Sequence, residues 1–95
     1  MKKVAVIIPA RNEERHISKC IRAILTNDYP NYEVIVVDDA STDQTLSVAR
    51  SFQNIAPVRV IANPNRVGQG ESANIGVKVS DADFLFFTVG KQCGG

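Results

Sequence analysis

The chain has 95 residues, 44% of them hydrophobic, and a formal net charge of +1, a composition typical of one soluble globular domain. A charge balance this close to neutral gives no general attraction to nucleic acid or to an acidic membrane, so we expect neither as a partner. The two cysteines, Cys20 and Cys93, do not have the spacing of a zinc site.

The first part of the chain predicts a strand, a helix and a second strand. Residues 4–8 are a continuous apolar and β-branched run that Pro9 ends, which is typical of a strand buried on both faces. In the segment 13–26 the apolar residues recur at helical spacing, at Ile17, Cys20, Ile21, Ile24 and Leu25. Residues 34–37, VIVV, predict a second buried strand. The apolar segment 4–10 is too short to span a membrane and lacks a signal cleavage site, so we expect a cytoplasmic chain.

The second part repeats the alternation of helices and strands. Ser41 and Gln44 form a capping-box pattern that predicts a helix starting at Thr42. The elements predicted after it are a strand at residues 58–62, a short helix at 71–79 weakened by Gly76, and a strand at 84–87. Strands that alternate with helices predict a parallel-sheet α/β sandwich, Rossmann-like, with helices on both faces. Ligands of such sheets bind beyond the carboxyl ends of the strands, so the loops there are the candidate site.

Charged residues follow the first two predicted strands. Residues 11–14, RNEE, come directly after the first strand, where an arginine beside carboxylates can bind a phosphate; the same residues also suit the start of a helix. Asp38 and Asp39 follow the second strand without a spacer, and two such carboxylates are costly to bury unless they accept hydrogen bonds or hold a cation. One of them can accept the imino hydrogen of a pyrimidine or the hydroxyl hydrogens of a ribose. Alternatively, Asp39 and Ser41 cap the next helix.

Taken together, three segments resemble the family 2 glycosyltransferases, which have the GT-A fold. The segments are VAVIIPARNEE at residues 4–14, VIVVDDASTDQT at 34–45 and NRVGQGESANIGVKVSDADFLFF at 65–87. The resemblance covers residues 2–88. It implies that residues 1–88 form the nucleotide-sugar-binding half of such a domain, and that residues 89–95 are an irregular tail.

The resemblance implies transfer of a sugar from a nucleotide diphosphate sugar, most often a UDP-sugar, to an acceptor, with this chain supplying the nucleotide-binding half. The residues that match nucleotide-binding positions are Pro9, Ala10, Arg11, Glu13, Asp38, Asp39, Arg66 and Gly68. The first four match positions that line the nucleoside pocket. Asp39 matches the acid that hydrogen-bonds the uracil or other base, with Asp38 beside it. Arg66 and Gly68 match the loop that approaches the nucleotide.

The metal site of the family is where this sequence departs from the pattern. In the family a magnesium or manganese ion neutralises the diphosphate leaving group, and its D-x-D motif follows the fourth strand. Here those positions read Val89-Gly90-Lys91, so we expect this chain to bind no divalent cation and assign it no catalytic residue. Asp81 and Asp83 precede that strand, which places them at the opposite edge of a parallel sheet, in a solvated turn.

The departure after Thr88 suggests a truncated or frameshifted sequence. The acceptor half and its acidic general base would then be missing, and we expect this chain alone not to turn over a nucleotide sugar. The alternative function is a catalytically inactive nucleotide-binding or protein-interaction module. A half-domain exposes the surfaces that its second half would cover, which favours self-association. A full-length protein would lie in the cytoplasm, peripheral to the membrane.

Overall fold

The computed structural model describes residues 1–88, in which four strands alternate with three helices. The strands are β1 (Val4–Ala10), β2 (Tyr32–Asp38), β3 (Val58–Ala62) and β4 (Phe84–Phe87), and the helices are α1 (Ile17–Leu25), α2 (Thr45–Arg50) and α3 (Gln69–Val79). All paired strands are parallel, in the order β3-β2-β1-β4. The predicted α/β fold is confirmed. The predictions for residues 89–95, including Val89-Gly90-Lys91, lie outside the described residues.

The two faces of the sheet are covered by different helices, because successive residues of a strand point to opposite faces. The core on the α1 and α2 face contains the buried residues Ile8, Ala10, Ile17, Cys20, Ile21, Val34, Val36, Ala49, Phe52 and Val58. The core on the α3 face is smaller and is built from Ala5, Ile7, Ile35 and Val37. Within residues 1–88, no helix combines the length and the apolarity that a membrane span requires.

β1 extends through Pro9 to Ala10, so the prediction that Pro9 ends this strand is wrong. In a parallel ladder successive residues of a strand point their backbone groups to opposite neighbouring strands, so every second residue faces the same neighbour. Ile7 accepts the N–H of Thr88 on the β4 side, and the β1–β4 pairing stops at Ile7 and Phe87. Pro9 points to the same side, beyond that last pair. Its missing N–H therefore costs no ladder hydrogen bond, which is where a strand tolerates proline.

Two helices start later than the sequence pattern predicts. α1 begins at Ile17, one turn after Glu13, and residues 14–16 form a turn instead. α2 begins at Thr45, so the predicted start at Thr42 is wrong. The reason is that Ser41 Oγ accepts the N–H of Asn12 from the neighbouring loop instead of a helix N–H, while Asp43 accepts the N–H of Thr45 at 2.9 Å.

β4 forms one edge of the described sheet and is open on both faces. The side chains of Phe84, Phe86 and Phe87 are 54%, 59% and 56% exposed. On the α1 face, a cavity of about 490 Å³ lies between β1, the end of α1 and Phe86, and most of its lining is apolar. This edge of the described sheet therefore carries an exposed aromatic surface.

Candidate functional site

The loops that follow β1 and β2 are bonded to each other at the carboxyl edge of the sheet. Asn12 and Ala40 have left-handed backbone angles, with φ of 53° and 55°, which bend the two loops toward one another. The N–H of Asn12 donates to Ser41 Oγ at 3.0 Å, and the N–H of Thr42 donates back to Asn12 Oδ1 at 2.8 Å. The reciprocal bonds make the two loops one structural unit.

Glu13 and Glu14 extend this unit to the start of α2. The N–H of Glu13 donates to Thr45 Oγ1 at 2.8 Å, and the N–H of Gln44 donates to Glu14 Oε2 at 3.0 Å. Burial alone would raise the pKa of Asp43, but hydrogen bonds from Thr45 outweigh it and lower that pKa. Glu13 and Asp43 line a polar cavity of about 330 Å³. The structure thus connects Glu13, a predicted nucleoside-pocket residue, to α2.

The first two strands bring Pro9, Ala10 and Asp38 to the carboxyl edge, and all three are buried. Ala10 pairs with Asp38 across the sheet, and Ala10 O accepts the N–H of Asp39 at 2.8 Å. The carboxylate of Asp38 accepts the hydroxyl of Ser41 at 2.5 Å and its N–H at 3.2 Å. Asp38 therefore shapes the loop on which Asp39 stands.

Asp39 is the centre of the candidate site. It is 3% exposed, and its Oδ1 accepts the N–H of Val67 at 2.8 Å and the side-chain amide of Asn63 at 3.1 Å. Its Oδ2 accepts the N–H of Gly68 at 2.8 Å. Burial alone would raise the pKa of Asp39, but these hydrogen bonds and the charge of Arg66 outweigh it and lower that pKa. Asp39 is therefore an ionised carboxylate that holds the loop between β3 and α3.

This geometry excludes one interpretation of the acidic pair, the capping of α2. Asp39 does not cap α2, because its carboxylate points to the loop before α3; Ser41 bonds Asp38 and Asn12, and does not cap α2 either. The turn at Gly68, with φ of 98°, presents consecutive backbone N–H groups to one anion, as such turns do. Here the protein's own Asp39 is that anion.

Two buried polar residues of this network were not predicted. Asn63 is 8% exposed and Ser72 is fully buried, and Asn63 Nδ2 donates to Ser72 Oγ at 3.1 Å. The N–H of Asn63 also donates to Asp38 O at 2.8 Å. Asn63 directly follows β3, so the strand-end rule that selected Asp38 could have found it. Ser72 lies inside α3, and no local pattern marks it.

Two arginines add positive charge at the same edge. Arg66 is exposed on the β3–α3 loop and lies close enough to Asp39 to lower the pKa of its carboxyl group. Arg11 follows β1 and is partly buried, and its Nε is buried without a hydrogen-bond partner. The structure thus brings Asp39, Arg66 and Gly68 together, with Arg11 on the neighbouring β1 loop.

The described residues do not fit a divalent cation. Among residues 1–88 there is no group of three or more His, Cys, Asp or Glu side chains that could hold a metal, and the carboxylates of Asp38 and Asp39 already accept internal hydrogen bonds. Asp81 and Asp83 lie at the amino edge of the sheet, as expected. There Lys3 Nζ is 2.7 Å from Asp81 Oδ1, and the N–H of Lys3 donates to Asp83 Oδ2 at 2.8 Å.

A parallel sheet covered by helices, with acids and arginines in the loops at its carboxyl edge, defines an α/β protein with a Rossmann-like sheet. The model of the family described as glycosyl transferase family 2 matches residues 5–88, and the chain belongs to that family. It is 34% identical over 90 residues to the poly(ribitol-phosphate) beta-N-acetylglucosaminyltransferase TarS of Staphylococcus aureus, a match that covers 92% of this chain and 16% of that protein.

Solved structures agree with this membership. The crystal structure of S. aureus TarS 1–349 in complex with UDP superposes with a TM-score of 0.88 at 32% identity, over 94% of this chain and 27% of that one. The mannosyltransferase PcManGT from Pyrobaculum calidifontis, in complex with GDP-Man and Mn²⁺, gives a TM-score of 0.88 at 28% identity, over 95% of this chain and 28% of that one. The structural neighbours have the GT-A fold, and the chain spans less than a third of the length of these relatives.

Proposed function

We propose that the chain binds the nucleoside diphosphate of a nucleotide sugar, a UDP-sugar above all, and so supplies the nucleotide-binding half of a glycosyltransferase. The observation that carries the proposal is the state of Asp39. Its ionised carboxylate has about four acceptor positions, and the protein's own donors use three of them. The position left on Oδ2 suits the imino N–H of a base. Uracil and guanine both carry that group, and they are the bases of the nucleotides bound by the solved relatives.

Arg11 and Arg66 serve the diphosphate in this proposal. A guanidinium group is a good partner for phosphate because its donors match two oxygens at once. The Nε of Arg11 is already desolvated and without a partner, so a phosphate oxygen would satisfy it. Pro9, Ala10, Asp38 and Gly68 contribute backbone and shape, since they are strand-end or turn positions. Glu13 takes part through the β1 loop that it ties to α2.

The reaction itself would require groups beyond this site. A divalent cation, where the family uses one, neutralises the diphosphate leaving group. Residues 1–88 do not fit such an ion, and Val89-Gly90-Lys91 stand where the resemblance expects its ligands. We therefore expect the 95 residues alone to bind UDP weakly and to transfer no sugar.

Calorimetry with UDP tests the proposal. The chain should bind UDP, manganese should not strengthen the binding, and Asp39→Ala should weaken it by about tenfold or more, as expected for a lost hydrogen bond to a charged group. Asp28→Ala is the matched control, because Asp28 is an exposed acid in the turn before β2. Tight binding that depends on manganese, or equal affinity in Asp39→Ala, would contradict the proposal.

The open β4 edge favours a second candidate function, a protein-interaction module that pairs with a second copy. Phe84, Phe86 and Phe87 are exposed on a strand that forms the edge of the described sheet, and two such edges can pair about a twofold axis. Sedimentation should show a concentration-dependent dimer that Phe86→Lys abolishes. Ile55→Lys is the control, because Ile55 is 76% exposed but precedes β3. A chain that stays monomeric at all concentrations would refute this candidate.

A further inference from the structure

We propose that Asn63 is a positioning residue for nucleotide selection: its side-chain amide fixes the Asp39 carboxylate so that the open acceptor position faces the base on Oδ2. This inference rests on the proposed function. Asn63 would not touch the nucleotide; it would act through Asp39. Its removal should change which base the site accepts as well as how tightly a nucleotide binds.

The geometry of Asn63 supports this role because each of its groups joins a different element. One hydrogen of Nδ2 goes to Asp39 Oδ1 at 3.1 Å and the other to Ser72 Oγ in α3, also at 3.1 Å. Its backbone N–H goes to Asp38 O, at the end of β2, at 2.8 Å. With Asn63 itself directly after β3, the side chain and the backbone N–H of this one buried residue together fix β2, β3 and α3 relative to one another.

The amide also makes the two oxygens of Asp39 unequal. Within residues 1–88, Oδ1 accepts from both Val67 and Asn63, whereas Oδ2 accepts from Gly68 alone. Without Asn63 each oxygen would have one acceptor position open, and the carboxylate could turn to share them. With Asn63 in place, one acceptor position of the carboxylate stays open, on Oδ2, and it points in a single direction.

An ionised carboxylate held in this way selects among bases. Uracil, thymine and guanine present an imino N–H, and an ionised carboxylate can accept a hydrogen bond from it. Cytosine and adenine present a ring nitrogen without hydrogen at that place, and an ionised carboxylate has no hydrogen to donate to it. A protonated carboxyl group would donate to such a nitrogen instead. Selection between UDP and CDP therefore depends on the charge of Asp39, and it fails as that charge is lost.

The charges around Asp39 come from two elements. Asp38 precedes it on β2, and Arg66 faces it from the β3–α3 loop. Burial raises the pKa of Asp39, and the hydrogen bonds from Val67, Asn63 and Gly68 together with Arg66 lower it below its usual value. Without the amide of Asn63 this pKa should rise, because one bond to the charged form is lost while the burial remains.

The experiment compares UDP and CDP binding by calorimetry in the 95-residue chain, in Asn63→Ala and in Asn63→Asp. It also follows the ionisation of Asp39 by carbon NMR of the carboxyl group. Asn63→Ala should reduce the preference for UDP over CDP by about tenfold, the factor that corresponds to one lost hydrogen bond to a charged group. The pKa of Asp39 should rise, and the pH below which UDP binding is lost should rise with it. Asn63→Asp should lose more, because it sets a second carboxylate against Asp39.

Ser72→Ala is the matched control. It removes the other partner of the Asn63 amide and loosens α3, but it leaves the bond to Asp39 in place. A purely structural role predicts that Ser72→Ala and Asn63→Ala behave alike; our inference predicts that Ser72→Ala keeps the preference for UDP and the pKa of Asp39. If Asn63→Ala does not fold, Asn63→Asp, which keeps the shape of asparagine, decides the outcome.

The outcomes separate the inference from the proposed function. If the unmodified chain prefers UDP and both Asn63 variants keep that preference and the pKa of Asp39, the inference is overturned and the proposed function stands. If the unmodified chain binds neither nucleotide, the proposed function fails and the inference falls with it. A lost preference together with a raised pKa supports both.

Discussion

Gly76 in the middle of α3 allows a close approach of this helix to the sheet, and its replacement gives the sharpest stability prediction. A Cβ built on Gly76 would lie 2.6 Å from Ile7 Cγ2, 3.3 Å from Ile7 Cδ1 and 3.4 Å from Val37 Cγ2. Ile7 and Val37 are fully buried. Helix propensity alone predicts that Gly76→Ala stabilises the helix by about 1 kcal/mol, so propensity and packing make opposite predictions.

The packing term should win. Ordinary contact begins at about 3.4 Å, so Ile7 or the whole of α3 must move by about 0.8 Å. The nearest atom is a methyl group on Cβ of a β-branched residue, which cannot swing away as the end of a long side chain can. Overpacking of a tight core costs about 1–3 kcal/mol, and the upper part of that range applies here. After the gain in helix propensity we expect a net loss of about 2 kcal/mol.

Urea unfolding followed by circular dichroism measures this loss, and thermal unfolding should show a melting temperature lower by roughly 8–16 °C. Gly70→Ala is the matched control: it lies in the same helix, and a Cβ there meets nothing within 4 Å. That variant should be stabilised by about 0.5 kcal/mol. If Gly76→Ala is stabilised as much as Gly70→Ala, the close packing of α3 on β1 is refuted.

Three further predictions concern the loops at the carboxyl edge. Thr45→Val keeps the side-chain shape but removes the acceptor of the Glu13 N–H, so urea unfolding should show a loss of about 1–3 kcal/mol; an unchanged midpoint would contradict the bond. Gly68→Ala places a side chain at φ of 98° and should cost about 1–3 kcal/mol in the same assay, whereas a neutral result would mean that the turn relaxes. The pKa of Asp39 is lower in the native state than the value of about 3.9 in the unfolded chain. The ionised carboxylate therefore makes its full contribution to the free energy of unfolding above about pH 3.9. That contribution disappears as the pH falls through the lower native pKa, so Asp39→Asn should flatten the acid side of the stability profile, and parallel profiles would contradict this.

The strands could be predicted from the sequence, because each of them is a local run of apolar and β-branched residues. Their parallel arrangement could be predicted because helices alternate with the strands along the chain. β3 and β4 have the predicted bounds, while β1 and β2 run further toward the site. The extension of β1 through Pro9 depends on which neighbour its backbone faces and on where β4 stops. Neither fact is visible within the segment itself.

The candidate site could be predicted only where a local pattern marks its residues. Asp39 was found because it follows a buried strand. Gly68 was predicted as part of the loop that approaches the nucleotide, but the bonds that Val67 and Gly68 make to Asp39 use backbone N–H groups, which leave no mark in the side-chain sequence. The capping pattern at Ser41 was misleading, because Ser41 Oγ accepts the N–H of Asn12 from the neighbouring loop. A local pattern identifies the groups that can bond, and the tertiary fold decides which partner each of them takes.

The side-chain hydrogen bonds between loops are concentrated at the carboxyl edge of the sheet, and this placement bears on how nucleotide binding responds to changes elsewhere. At the carboxyl edge, Asn12, Asp39 and Asn63 bond the three loops or their strand ends to one another. In the described part of the sheet, β4 has a neighbour on one side only, and its phenylalanines are exposed. A nucleotide that binds across the bonded loops would meet a preorganised site and would pay little ordering entropy. Events at β4, such as pairing with a second copy, should therefore leave nucleotide affinity nearly unchanged, since no loop of the site has to move.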